Sequence, residues 1–249
     1  MRLALYKLVR SWTAISLMIL TGCQTQTDET VNVAVATNFY LTAQSLETAF
    51  EKQSGFDVTL ISGSTGQLYA QIKNGAPHHI FLSADQERAI KLVEEGFANE
   101  RFTYAIGRLV LWRPDDKMVS LETLMTENFR RLAMANPALA PYGRAAQEVI
   151  ATLDISDKIV MGENIGQVYN LIKTRNADLG FIAYSQIDAS NITADDFWAV
   201  PSALYSPIIQ DAVMLKSGTA QAQAFYKFLK SDTARDIIQS SGYDIPDAK

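Results

Sequence analysis

Ser62-Gly63-Ser64-Thr65-Gly66-Gln67 follows an alternating apolar run, Val58 to Ser62, and leads into a helical run through Leu68 and Ile72. A strand that runs into a glycine-flanked hydroxyl pair and then a helix gathers free N–H groups, two hydroxyls and the positive end of a helix dipole at one point. Such a point suits a small anion. Gly63 and Gly66 allow close backbone approach, while Ser64 and Thr65 are ordinary helix-capping residues. One capped helix says little. Recurrence of the same unit along the chain decides the fold.

Outward from this stretch, strand and helix alternate. Val31 to Ala36 is β-branched and alternating, and after Thr37-Asn38 the residues Ala43, Leu46 and Phe50 sit at helical spacing until Gly55. Asp57 to Ser62 and Thr65 to Asn74 repeat the unit, closed by Gly75-Ala76-Pro77. Ile80 to Ser83 and Glu87 to Glu95, stopped by Gly96, repeat it again. A longer apolar strand is expected over Ala105 to Trp112, then a looser region from Pro114 to Asn128. The rhythm resumes with Leu132 to Ala135 and a helix carrying Ala146, Val149, Ile150 and Leu153 on one face. Lys158 to Met161 leads to a helix through Ile165, Val168 and Ile172, and Leu179 to Ala183 leads to a turn at Ser185. Ile208 to Leu215 is a further strand, and helices over Thr219 to Lys230 and Asp232 to Ser240 close the chain.

Repeated strand–helix–strand units imply an α/β fold of parallel sheets with helices on both faces, whose ligands bind beyond the carboxyl ends of the strands. Four loops there have suitable chemistry: Thr37-Asn38, Ser64-Thr65, Ala140-Pro141-Tyr142-Gly143 and Asn164-Ile165. Each joins a strand to a helix and offers uncharged donors. Neutral donors at four helix starts, without a base or nucleophile pair, make a cage for an anion rather than a catalytic site.

The 249 residues, 48% of them hydrophobic, suffice for one large domain or two lobes. Residues 1–22 differ from the rest. Arg2, Lys7 and Arg10 form a positive start and Ala14 to Leu20 a short apolar core, too short to span a membrane. Leu20-Thr21-Gly22-Cys23 follows and resembles the bacterial lipobox, where cleavage before the cysteine accompanies its acylation. Cys23 is the only cysteine, which fits a lipid attachment point better than a disulfide partner or a nucleophile. Gln24 to Thr30 form a polar tether. Three of the 22 basic residues and no acidic one lie before Cys23, so the remainder carries 19 basic against 27 acidic residues, net −8. That balance argues against nucleic acid and against polybasic membrane docking.

The residues now carry a resemblance. Val-Ala-Thr-Asn-Phe at 35–39, Gly-Ser-Thr-Gly-Gln-Leu at 63–68, Asn-Gly-Ala-Pro at 74–77 with Phe-Leu-Ser-Ala-Asp at 81–85, Ala-Asn-Pro at 135–137 with Ala-Pro-Tyr-Gly at 140–143, Gly-Glu-Asn-Ile at 162–165 and Leu-Gly-Phe-Ile at 179–182 occur in order over the chain after the leader. Together they resemble the periplasmic molybdate-binding proteins of ABC importers. The resemblance implies a two-lobed periplasmic-binding-protein fold of type II, each lobe a mostly parallel sheet flanked by helices, with a hinge of two crossing strands. Lobe 1 would be 31–104 plus 207–249 and lobe 2 would be 105–206. The implied ligand is molybdate or tungstate, held in the cleft as its oxyanion with no direct protein–metal bond and no cofactor, then delivered to a membrane permease.

Carried over, the implied ligand residues are Asn38 beside Thr37, Thr65 beside Ser64, the backbone from Ala140 to Tyr142, and the N–H of Ile165. One branch of the family places a tyrosine in the segment matching Gly180 to Ser185, where this chain has Ala183 and then Tyr184. Tyr142 is favoured over Tyr184 as the phenol donor, because a one-residue slip in a strand points the side chain to the opposite face. The expected protein is an exported, lipid-anchored monomer on the periplasmic side of a bacterial membrane, and it catalyses nothing. A cage for another tetrahedral oxyanion is the alternative within the binding class, and an exported serine hydrolase using Ser64 lies outside it.

Other residues take plain readings. His78 and His79, the only histidines, face opposite ways in an extended segment and do not share a metal. Asp85 reads as a helix-start residue rather than a catalytic acid. Ser64 lacks a Gly-x-Ser-x-Gly elbow. Tyr69, Tyr169 and Trp198 are packing residues.

Overall fold

Two five-stranded sheets organise the computed structural model, which describes residues 30–114, 119–126, 129–187 and 197–246. The leader, Cys23 and most of the tether lie outside the described residues.

The first sheet has the order β2-β1-β3-β10-β4 and the second β7-β6-β8-β5-β9. In the first, β1 (Val31–Ala36) pairs in parallel with β2 (Val58–Gly63) and β3 (Ile80–Ser83), while β10 (Ile208–Leu215) runs antiparallel between β3 and β4 (Ala98–Gly107). The second repeats this pattern. There β6 (Leu132–Ala135) pairs in parallel with β7 (Ile159–Gly162) and β8 (Leu179–Ala183), and β5 (Leu109–Trp112) runs antiparallel between β8 and β9 (Phe197–Ala199). Four strands of each sheet therefore point one way, with one reversed.

Helices cover the sheets: α1 (Tyr40–Ser54), α2 (Thr65–Lys73), α3 (Gln86–Glu94), α7 (Ala220–Phe228) and α8 (Asp232–Ser240) on the first, and α4 (Leu121–Met125), α5 (Pro141–Val149) and α6 (Ile165–Lys173) on the second. Their apolar faces bury Leu46, Phe50, Leu68, Leu92, Ala146, Val168, Ile172, Phe225 and Ile238 against the strands. Gly55 ends α1 in the left-handed region, φ 74°, where a side chain would be strained.

The strand expected over Ala105 to Trp112 is two strands. β4 begins at Ala98 and ends at Gly107, and β5 begins at Leu109, so one apolar run feeds two sheets with Arg108 between them. The first half of β4 escaped an apolar-run reading because Asn99, Glu100 and Arg101 are exposed on the edge of the sheet. The region read as loose contains the single turn of α4, and α5 stops at Val149 rather than reaching Leu153. The chain returns to the first sheet between Ala199 and Ile208.

Candidate anion-binding site

The four loops singled out in sequence meet between the two sheets. They line a small cavity of about 10 Å³, walled by Ala36, Thr37 and Asn38 after β1, by Ser64 and Thr65 after β2, by Ala140, Pro141 and Tyr142 after β6, and by Asn164 and Ile165 after β7. No wall residue carries a charge.

Each loop is shaped by its own capping chemistry. Ser64 caps α2: its hydroxyl oxygen accepts from the Gln67 N–H at 3.3 Å, and the Gln67 side chain accepts from the Ser64 N–H at 3.3 Å. Asn164 caps α6 by accepting from the Gln167 N–H at 3.0 Å. At α5, Ala140 precedes Pro141, which has no N–H to satisfy. The leading N–H groups of a helix have no acceptor within it. Caps take those of Gln67 and Gln167, and the Leu139 carbonyl takes that of Gly66 at 2.9 Å. Among the described residues that leaves the N–H groups of Thr65, Tyr142 and Ile165 in the cavity walls, with that of Gly166 next to Ile165, each at a positive helix end.

Side chains complete the inventory. The Thr65 hydroxyl is buried and has no hydrogen-bond partner among the described residues. Thr37 directs its hydroxyl to the Gly63 carbonyl at 3.0 Å, so its side chain is engaged. Asn38 is 5% exposed, and its amide nitrogen donates to Gln210 Oε1 at 2.9 Å and to the Tyr243 hydroxyl at 3.1 Å. The Tyr142 phenol reaches Gly107 and Gln210, whose Nε2 donates to it at 3.5 Å. A Cβ on Gly107 would stand 2.1 Å from the Tyr142 hydroxyl, so that approach requires a glycine. Burial, then the neighbouring Tyr243, raises the Tyr142 phenol well above its ordinary value and keeps it protonated.

Tyr184 is not in the cavity wall. It lies in the turn after β8 with the Arg108 guanidinium 4.0 Å above its ring and Phe197 edge-on at 5.8 Å. The two histidines lie at the start of β3, at the far end of the sheet from Ser64, so nothing resembling a serine–histidine pair forms there. Both ring nitrogens of His78 are buried without a partner among the described residues, whereas His79 Nδ1 accepts from the Asn32 N–H at 3.1 Å.

Polar contacts hold the lobes together over the cavity. Gln67 Nε2 donates to Glu163 at 3.0 Å, Arg88 Nη2 to the Ala138 carbonyl at 2.8 Å, and Ser185 to the Asn38 carbonyl at 3.0 Å. Arg144 of the second lobe reaches Asp85 at 3.0 Å and Glu87 at 2.8 Å in the first. Hydrogen bonds from Lys91 and then Arg144 hold the Glu87 carboxyl down to about 2. Asp85 does start a helix, accepting from the Arg88 N–H at 2.9 Å, and also takes part in this bridge. Sequence reasoning missed the bridge and the residues behind Asn38, since Gln210 and Tyr243 lie 172 and 205 residues away.

A model of the bacterial extracellular solute-binding proteins matches residues 31–244 of this chain. The chain belongs to that family. Among related solute-binding proteins, the molybdate-binding protein ModA of Azotobacter vinelandii is 41% identical over 237 residues, covering 91% of this chain and 94% of that one. ModA of Rhodobacter capsulatus is 44% identical over 226 residues, covering 86% and 87%. The solved structure of the Azotobacter vinelandii periplasmic molybdate-binding protein superposes with a TM-score of 0.80 at 38% identity, over 87% of this chain and 99% of that one. Among the described residues of this solute-binding protein, no helix is long and apolar enough to cross a membrane.

Proposed function

We propose that this protein is the substrate-binding component of a molybdate importer, taking molybdate or tungstate from solution and handing it to a membrane permease. The observation that carries the reading is the buried Thr65 hydroxyl, unpaired in an uncharged cavity whose walls also hold the free N–H groups of Thr65, Tyr142 and Ile165. A buried donor without an acceptor is costly, and an oxyanion supplies the acceptor. The relatives named for molybdate binding support the choice of anion.

Binding works by exchanging water for fixed donors. A tetrahedral dianion entering the cleft loses its hydration and gains hydrogen bonds from Thr65, Asn38, Ser64 and the N–H groups of Tyr142 and Ile165, with Thr37 shaping the first loop and Ala140, its own N–H held by the Asn136 carbonyl at 2.9 Å, lining the wall. No protein cation neutralises it. Helix ends and oriented dipoles do so in part, and closure of the lobes removes the water that would screen them. Selectivity follows from size: sulfate is smaller and leaves donors stretched or unpaired. Tyr142 contributes through its main chain, and Tyr184 serves the hinge. The proposed lobes are 31–104 plus 207–249 and 105–206; β4, a strand of the first sheet, runs on to Gly107, and β5, a strand of the second, starts at Leu109. Export, a lipid anchor at Cys23 and a monomeric state complete the proposal.

Thermal unfolding of the chain from Gln24 onward, with molybdate, tungstate, sulfate or phosphate, tests it. A ligand at about a hundred times its dissociation constant stabilises the fold by roughly 2.7 kcal/mol. A rise in Tm with molybdate and tungstate alone is expected. A rise with sulfate or phosphate instead overturns the substrate, and no rise with any anion overturns the function.

A further inference from the structure

Behind the cavity lies a buried polar network that oxyanion capture, as described so far, does not use. Asn38, from the first loop, donates both amide hydrogens backwards, to Gln210 Oε1 and the Tyr243 hydroxyl. Tyr104 donates to the same Gln210 oxygen at 3.1 Å, and Gln210 Nε2 donates to the Tyr142 hydroxyl at 3.5 Å. Tyr243 donates to the Asn38 carbonyl at 2.7 Å, which Ser185 also reaches. Phe39 stands edge-on to Tyr104 at 4.7 Å and to Tyr243 at 5.2 Å, fixing both rings. Gln210 is fully buried on β10, and the network joins both lobes, since Tyr142 and Ser185 belong to the second.

In this arrangement the carbonyl oxygen of the Asn38 amide is the end without a protein partner among the described residues, and Asn38 is in the cavity wall. An acceptor oxygen there repels an oxyanion. If both amides turn over, the polarity reverses and each group keeps a partner. Asn38 Oδ1 then accepts from Gln210 Nε2 and from Tyr243, while Ser185 retains the Asn38 carbonyl. Gln210 Nε2 also meets the Tyr104 oxygen, Tyr104 donates to the Ser83 carbonyl now 3.4 Å away, and Tyr142 donates to Gln210 Oε1. The two hydrogens of the Asn38 amide then face the cavity. Burial raises all three phenols, so each keeps the proton this exchange needs.

We infer that Gln210 is a positioning residue: by turning its own amide in concert with that of Asn38, it presents the Asn38 NH2 group to the bound oxyanion. The inference rests on the oxyanion reading and deepens it. Gln210 touches no ligand and acts only through Asn38.

A double-mutant cycle on molybdate affinity tests it, with wild type, Gln210→Met, Asn38→Ala and the pair compared by titration calorimetry. Gln210→Met is expected to weaken binding about tenfold in the wild-type background, the loss of one well-aimed donor. In the Asn38→Ala background it should change affinity less than about twofold, since residues acting through one another do not add. Equal losses in both backgrounds, or none in the first, overturn the inference while leaving molybdate binding intact. If Gln210→Met does not fold, side-chain amide NMR of the wild-type protein takes its place: the NH2 resonances of Asn38 and Gln210 should both move on adding molybdate, and a static Gln210 signal refutes the idea. A wild-type protein that binds no oxyanion overturns the functional reading and this one with it.

Discussion

Replacing Thr65 with valine separates what the cavity costs from what it binds. Valine matches threonine in shape but lacks the hydroxyl, which is buried and unpaired in the wall of the cavity. A buried polar group without a partner costs about 1–3 kcal/mol, so the unliganded closed arrangement gains stability when it is removed. At about 2–4 °C per kcal/mol for a chain of this size, the unliganded Tm should stay level or rise by a few degrees. The liganded protein behaves oppositely. A hydrogen bond to a charged group is worth about 1.5–3 kcal/mol, which lowers molybdate affinity roughly 10- to 150-fold. Differential scanning calorimetry without ligand, paired with isothermal titration, reads both quantities. A fall of several degrees in the unliganded Tm, or affinity kept within about twofold, would refute the assignment of Thr65 as an unpaired donor awaiting an acceptor.

Four further outcomes follow from the geometry. Gly107→Ala places a Cβ 2.1 Å from the Tyr142 hydroxyl, so thermal unfolding should show a loss of about 1–3 kcal/mol, and adding Tyr142→Phe should restore part of it; no recovery would mean the clash lies elsewhere. Burial and then His79 lower the His78 pKa from 6.5, so its neutral form stabilises the fold above pH 6.5, and that contribution is lost as pH falls and the unfolded chain takes the proton first. His78→Leu should therefore lose less Tm between pH 7 and pH 5 than wild type does, and identical losses would exclude this cause. The net charge of −8 after the leader opposes an approaching anion, so molybdate affinity should rise modestly with salt, a trend that flat or falling affinity contradicts. Salt also weakens the exposed pair from Arg144 to Glu87 and, to a lesser degree, its part-buried pair to Asp85, so the rise should be steeper in Arg144→Met; equal slopes would show that these pairs contribute nothing to closure.

Much of this site was legible because its donors are local features of sequence. Ser64 and Thr65 sit between an alternating strand and a helical run, and Asn164-Ile165 repeats that pattern, so a reader needs only neighbouring residues to place an N–H at a helix start. Gly55 and Gly96 marked helix ends for the same reason, each taking a positive φ. β4 was illegible in its first half, because an edge strand with Asn99, Glu100 and Arg101 outward looks like a loop to any reading of apolar runs. The break at Arg108 was hidden as well. Ala105 to Trp112 is apolar except at Gly107 and Arg108, and one glycine and one charge inside an apolar run do not by themselves say that its halves serve different sheets. Tyr142 shows the limit most plainly: its loop was found, but the direction of its phenol depends on Gly107 and Gln210, which only the folded chain brings near.

The place of β10 bears on the order in which the molecule is made. Its partners β3 and β4 lie on either side of it, so an interior position of the first sheet is occupied by residues 208–215, whereas every strand of the second sheet falls between residues 109 and 199. A chain emerging amino end first therefore completes its second sheet while its first is still missing an interior strand. Asn38 must wait for Gln210 to arrive. A product ending near residue 207 would hold all five strands of one sheet, yet the other would have an open seam between β3 and β4, two exposed edges inviting pairing with a second chain.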